Sequence, residues 1–161
     1  MTSPPLAAFV VHSLDVPEEE GVYPAPFDGE KLSFWRNLGK AAGSERLGLR
    51  QERLPPGRRT SFTHAHSHEE ELIYVLKGEC HVRLLEPGAV EARELPLRVG
   101  HTISFPSGTG IAHCFVNHSA RECLLLCVGE RRRNVDRVLY PEDSEYDEYL
   151  HRNDPGRHWT H

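Results

Sequence analysis

His64-Ala65-His66-Ser67-His68-Glu69-Glu70-Glu71-Leu72-Ile73-Tyr74-Val75-Leu76-Lys77-Gly78 is the stretch on which the fold turns. Its second half is a short apolar run rich in β-branched and aromatic residues, closed by the turn signal Lys77-Gly78, which reads as a β-strand. Its first half sets histidines at alternate positions. On an extended backbone alternate side chains share a face, so His64 and His66 point the same way and can grip one ion through their imidazole nitrogens. Glu71 opens the following strand and places a carboxylate at its mouth.

Outward from this stretch, further short apolar or alternating runs occupy 47–54, 60–65, 81–85, 92–97, 102–105, 113–117 and 123–128. Pro55-Pro56-Gly57, Pro87-Gly88, Val99-Gly100 and Pro106-Ser107-Gly108 punctuate them. Many short strands at close spacing predict an antiparallel sandwich or barrel. No apolar period of 3.6 residues runs long enough to predict a helix. Closure of such a sheet explains how ligands distant in sequence converge, because inward positions from several strands meet on one axis. His113, which opens the run at 113–117, then completes a set of three imidazoles and one carboxylate. Such a mixed nitrogen and oxygen set suits a divalent transition metal with positions left open for water or substrate.

The spacing is specific. The first motif reads Gly57, six residues, His64-x-His66, four residues, Glu71, six residues, Gly78. The second reads Gly100, five residues, Pro106-x-Gly108, four residues, His113, three residues, Asn117. Together they closely resemble the two motifs of the cupin superfamily. They depart from its pattern by one extra residue before His64 and two extra before His113. The Val128-Gly129-x-Arg131 stretch and the later Tyr140-Pro141-Glu142 are similar to the ending of small single-domain bacterial cupins of mostly unassigned function, so the resemblance spans about 47–143. It implies an all-β fold, a double-stranded β-helix (cupin or jelly-roll) barrel with an irregular N-terminal arm and a C-terminal tail. It selects His64, His66, Glu71 and His113 as metal ligands, Glu71 in preference to Glu69 and Glu70. His68 falls out of register with the motif and is expected at the surface or behind a ligand.

The 161 residues make one domain, divided as an arm over 1–46, a barrel over 47–129 and a tail over 130–161 that packs on the barrel or closes over the pocket. Net charge is −5, and Arg131-Arg132-Arg133 is too short a basic run to argue for nucleic acid. No apolar run approaches a membrane span and the N-terminus is a poor signal peptide, so a cytoplasmic protein is expected. Cys80, Cys114, Cys123 and Cys127 show no CxxC spacing and read as buried, reduced thiols, with Cys114 turned away from the ion.

The ligand set accepts Zn, Ni, Fe, Mn, Co or Cu without distinction. Two functions from different classes remain open. One is a metal-dependent isomerase, decarboxylase or dioxygenase acting on a small polar metabolite; the other is a non-catalytic metal or small-ligand binder or sensor. No second catalytic group stands out, since Tyr74 is turned outward by alternation and His81 reads as a strand surface residue. Exposed sheet edges and the habit of small cupins of pairing through N-terminal strands predict a homodimer.

Overall fold

The computed structural model of the chain describes residues 6–160; residues 1–5 of the predicted arm and His161 of the tail lie outside the described residues. Two short 3-10 turns, Leu6–Phe9 and Ser13–Asp15, precede the strands. The elements then run β1 (Glu19–Glu20), β2 (Phe34–Asn37), α1 (Leu38–Ala41), β3 (Leu47–Leu54), β4 (Ala65–His66), β5 (Glu71–Lys77) and β6 (Glu79–Leu85). After these come β7 (Arg93–Arg98), β8 (Thr102–Phe105), β9 (Ala112–Val116), β10 (Cys123–Glu130), β11 (Val138–Leu139) and α2 (Ser144–Asn153).

A six-stranded sheet in the order β1-β2-β3-β10-β5-β8 lies with a three-stranded sheet, β7-β6-β9, and a two-stranded pair, β11-β4. Every pairing between these strands is antiparallel. The architecture is therefore the mostly-β antiparallel sandwich that the strand spacing predicts, of the jelly-roll kind that the resemblance implies. One feature differs from a closed shell: among the described residues no continuous ladder links the two larger sheets. Isolated bridges at Arg59↔Val116 and His64↔His113 instead stitch the 59–64 segment to β9.

Alternation decides what each strand buries. On β5, Ile73 and Val75 face inward at 3% and 0% exposure, while Leu72, Tyr74 and Leu76 face out. Cys80, Val82 and Leu84 on β6, Phe115 on β9, and Cys123 and Leu125 on β10 join them with Leu54 and Phe105 in one apolar core. That core fills one end of the sandwich and leaves the other end polar. The tight β5-β6 link requires glycine: Gly78 has φ +75°, and a Cβ there would lie 2.5 Å from the Glu122 carbonyl oxygen.

The arm adds β1 and β2 to the sheet, β2 pairing with β3 of the same chain. The tail holds more structure than its sequence pattern predicts. Its ten-residue helix α2 turns Tyr146 inward, and that ring packs against Tyr23, Phe62 and Tyr140 with centroids 4.6, 5.1 and 4.8 Å away. The helical period is only Tyr146-Tyr149-Leu150, too short to register in sequence, and tertiary aromatic packing stabilises what propensity alone would not.

Candidate metal centre

His64 and His113 exchange both backbone hydrogen bonds, His64 N–H to His113 O at 3.0 Å and His113 N–H to His64 O at 2.8 Å. Directly opposed residues in an antiparallel pair share a face. The bridge therefore aims both rings into the polar end of the sandwich, with ring centroids 5.0 Å apart. The stretch before His113 turns at Gly108 and Gly110, which both adopt positive φ (75° and 70°).

Each of the first two imidazoles is fixed at one nitrogen. His64 Nδ1 lies 2.9 Å from the Phe62 carbonyl oxygen, which can only accept, so Nδ1 carries the proton and Nε2 keeps its lone pair. His66, on β4, bonds through Nδ1 to Asp136 Oδ2 at 2.7 Å and turns Nε2 toward Glu71, 3.8 Å away. Ligand atoms of His64, His66 and Glu71 all lie within 4.8 Å of one another. His113 reaches the same carboxylate, with Nε2 3.0 Å from Glu71 Oε2, and its ring stacks flat on Phe105 at 3.4 Å. Its Nδ1 is buried and, among the described residues, has no hydrogen-bond partner.

The electrostatics fit a cation. Burial, aided by the neighbouring His66 and His113, pushes His64 down to about 3, so its imidazole is neutral, the form that ligates. Burial would raise Glu71, but the hydrogen bond from His113 and the charge of His66 outweigh it and hold the carboxyl well below the usual range. Burial would lower His66, yet the Asp136 hydrogen bond and the Glu71 charge win and raise it. Carboxylates that favour a proton on His66 Nε2 equally favour a divalent cation in its place.

Of the three consecutive glutamates only Glu71 faces His113. Glu69 Oε1 accepts from the Arg132 amide, and Glu70 Oε1 takes the Ser104 hydroxyl at 3.5 Å. His68 bonds to Ser67 Oγ at 2.8 Å at the surface. Cys114 is buried against Thr63 Oγ1.

Sequence reasoning missed Asp136. It sits in the loop between β10 and β11, is 4% exposed, and takes the His68 and Glu69 amides on Oδ1 at 2.9 and 3.1 Å while Oδ2 holds His66. His66, Glu69 and Asp136 also offer atoms within 4.8 Å of one another, but Asp136 is already saturated by three donors and acts as the brace of His66. The Asp-x-Val at 136–138 carries no spacing signal that ties it to a histidine 70 residues earlier.

A cavity of about 310 Å³ opens on the cage. Its wall beside Glu71 is bare, because the cross-strand pair Gly129↔Gly48 carries no side chains there. Arg50, Arg131, Arg133 and Arg157 line it, together with Glu52, Ser61, Cys127 and Tyr140. Among the described residues none of these four arginines forms an ion pair with a carboxylate, whereas Glu69, Glu130 and Asp136 on the same wall are occupied by backbone amides. The lining therefore offers cationic groups to an incoming anion.

Residues 50–129 match the family model described as Cupin domain. Among solved structures, the chain is similar to a sugar phosphate isomerase from Silicibacter pomeroyi, at 27% identity and TM-score 0.69 over 80% of each chain. It also resembles a proposed sugar phosphate isomerase from Acidithiobacillus ferrooxidans (24% identity, TM-score 0.72, 85% of this chain and 83% of that one). The polyketide cyclase RemF from Streptomyces resistomycificus shares the fold at 24% identity and TM-score 0.63, over 93% of this chain and 98% of that one. No curated protein sequence gives a match. Among the described residues, no helix is long and apolar enough to cross a membrane.

Proposed function

The chain belongs to the cupin superfamily, and on that premise we propose that it is a metal-dependent enzyme acting on a small anionic metabolite, most narrowly an isomerase of a sugar phosphate. His64, His66, Glu71 and His113 hold one divalent transition metal ion (Zn, Ni, Fe or Mn). The observation that carries this reading is the pair of imidazoles fixed at Nδ1, with Nε2 left beside a carboxylate held ionised. When bound, such an ion polarises a carbonyl oxygen and eases loss of a proton from the carbon beside it.

The rest of the chemistry falls to the chain's own residues. Arg50, Arg131, Arg133 and Arg157 bind the anionic end of the ligand and orient it. The Gly48-Gly129 wall leaves space for its carbon chain beside Glu71. The 27% identical relative supports an isomerase, and the arginine lining independently supports a phosphate-bearing substrate. We read the protein as a cytoplasmic homodimer; its four free thiols suit a reducing compartment, and Leu72, Tyr74 and Leu76 form an exposed apolar strip on the outer face of the six-stranded sheet.

Metal analysis of untagged protein, repeated on His64→Ala, tests the cage. About one equivalent of a transition metal in the wild type and a loss in the variant is expected; unchanged content in the variant refutes it. Metal-loaded protein is then incubated with aldose and ketose phosphates in D2O. Stoichiometric metal with no turnover or label in any of them would select the non-catalytic binder.

A further inference from the structure

Glu52 is a buried carboxyl in the wall of the cavity that the metal cage does not use. It lies on β3, 8% exposed, at the position paired with Leu125 of β10. Glu71 pairs with Gly129 of the same strand from the opposite side. Residues directly paired on adjacent strands share a face, so Glu52 and Glu71 project into one cavity from the two flanks of β10. Four residues of β10 separate their levels, about 13 Å of extended backbone. Two long side chains leave between them room for a small ligand.

The surroundings of Glu52 are unusual for a structural carboxylate. Its oxygens accept from two neutral donors, Ser33 Oγ at 2.5 Å and Cys127 Sγ at 3.5 Å. Among the described residues no arginine, lysine or histidine forms an ion pair with it. Arg50, one row away on β3, stacks its guanidinium on Trp35 at 4.7 Å instead of pairing with Glu52. A buried carboxylate without a cationic partner is costly to keep charged, whereas a carboxyl that gives and takes a proton has a use there.

We propose that Glu52 is the proton-transferring catalytic residue of this cavity, taking a proton from a ligand carbon beside a carbonyl and returning it to the adjacent carbon. This rests on the isomerase reading for the ligand and the reaction, while the place of Glu52 in the cavity wall stands apart from it. In the first step the C–H bond breaks and its proton forms an O–H bond on a Glu52 carboxylate oxygen. The C–H electron pair becomes the C=C bond of an enediolate as the carbonyl π pair moves to its oxygen. Return of the proton to the neighbouring carbon, with transfer of the hydroxyl proton to the former carbonyl oxygen, completes an aldose-ketose exchange with no oxidant or reductant. Burial raises the Glu52 carboxyl, opposed by the Ser33 hydrogen bond, the Arg50 charge and the Cys127 hydrogen bond and supported by the Glu71 charge, so it holds a proton more readily than an ordinary carboxyl. Cys127, the other titratable group against it, is itself pushed up by burial and stays a neutral thiol.

The test compares wild type with Glu52→Gln, which keeps the side-chain shape and an oxygen for Ser33. Metal content and thermal midpoint should match. Metal-loaded proteins are then incubated in D2O with C3 to C6 aldose and ketose phosphates, and carbon-bound deuterium is read by proton NMR. Wild type should label at least one probe and the variant should do so about 10²- to 10⁴-fold more slowly. A variant that labels as fast as wild type, or that loses its metal along with its activity, overturns the proposal. If wild type labels none of the probes, the isomerase reading falls, and Glu52 is judged by difference infrared spectroscopy with sorbitol 6-phosphate as an unreactive probe. A carboxyl band absent from Glu52→Gln and shifted by the probe supports the contact; a band that the probe leaves unmoved overturns it.

Discussion

Replacing Asp136 by asparagine should weaken metal binding without dismantling the loop. Asp136 Oδ1 accepts the His68 and Glu69 amides, and Oδ2 accepts the His66 Nδ1–H at 2.7 Å. Asparagine has one acceptor and one donor where aspartate has two acceptors. If its oxygen stays on the two amides, its NH2 faces His66 Nδ1, which must then accept and move its proton to Nε2, the atom that would ligate. If its oxygen turns to His66, the NH2 points at two N–H donors. Either arrangement costs the cage, and loss of such a carboxylate brace weakens metal binding about 10- to 100-fold, or about 1.4–2.7 kcal/mol. Competition against a coloured chelator, with Zn²⁺ or Co²⁺ and the metal-stripped proteins, measures it, and a urea melt of each apoprotein checks the fold. An Asp136→Asn affinity within twofold of wild type would show that His66 needs no brace, and with it the assignment of Nε2 as the ligating atom would fall.

Three further outcomes follow from the fold. Gly78→Ala combines a φ of +75° with a Cβ 2.5 Å from the Glu122 carbonyl oxygen, so it should cost about 2–5 kcal/mol in urea unfolding; Gly57→Ala, at φ +72° with open space around it, should cost only about 1–2 kcal/mol. Arg83 grips Glu142 through two hydrogen bonds of 2.7 and 2.8 Å, and this hydrogen bonding first of all holds the Glu142 carboxyl below its usual range. Because the folded state depresses it, its stabilisation is present above about pH 4.5 and fades as the pH falls through the folded value. Glu142→Gln should therefore lose at most about 1 kcal/mol for this half-exposed pair near neutrality, and the gap from wild type should close in acid melts. Size-exclusion with light scattering should give a dimer at micromolar concentration and a monomer for Leu72→Glu/Tyr74→Glu; a wild-type monomer would refute the apolar strip as a contact face.

The sequence carried the frame of this molecule because period-two alternation and glycine-marked turns are local signals. Ile73 and Val75 are inside and Tyr74 outside, as the strand 72–76 reads by alternation. His64 and His66 share a face for the same reason, and the structure puts their ligand atoms with that of Glu71. His113 illustrates a constraint that spacing alone does not express: its register is set by its backbone bridge to His64, and the chain before it turns at Gly108 and Gly110, both at positive φ. Asp136, Glu52 and the arginines were illegible because their roles arise only once β10 lies between β3 and β5 and the following loop folds back over β4. Glu52 reads in sequence as an ordinary polar member of an alternating strand, Arg50-Gln51-Glu52-Arg53, whose inward face is decided by partners more than 70 residues away. Helix α2 was missed for the converse reason: its local signal is weak, and the aromatic cluster that holds Tyr146 is assembled from the arm, the 60–65 segment and the tail. What the ligand motif predicts is a place for an ion. Residue type alone picks out Tyr74 and His81, which alternation and strand position set aside, whereas Glu52 comes to the cavity only through the pairing of β3 and β5 with β10.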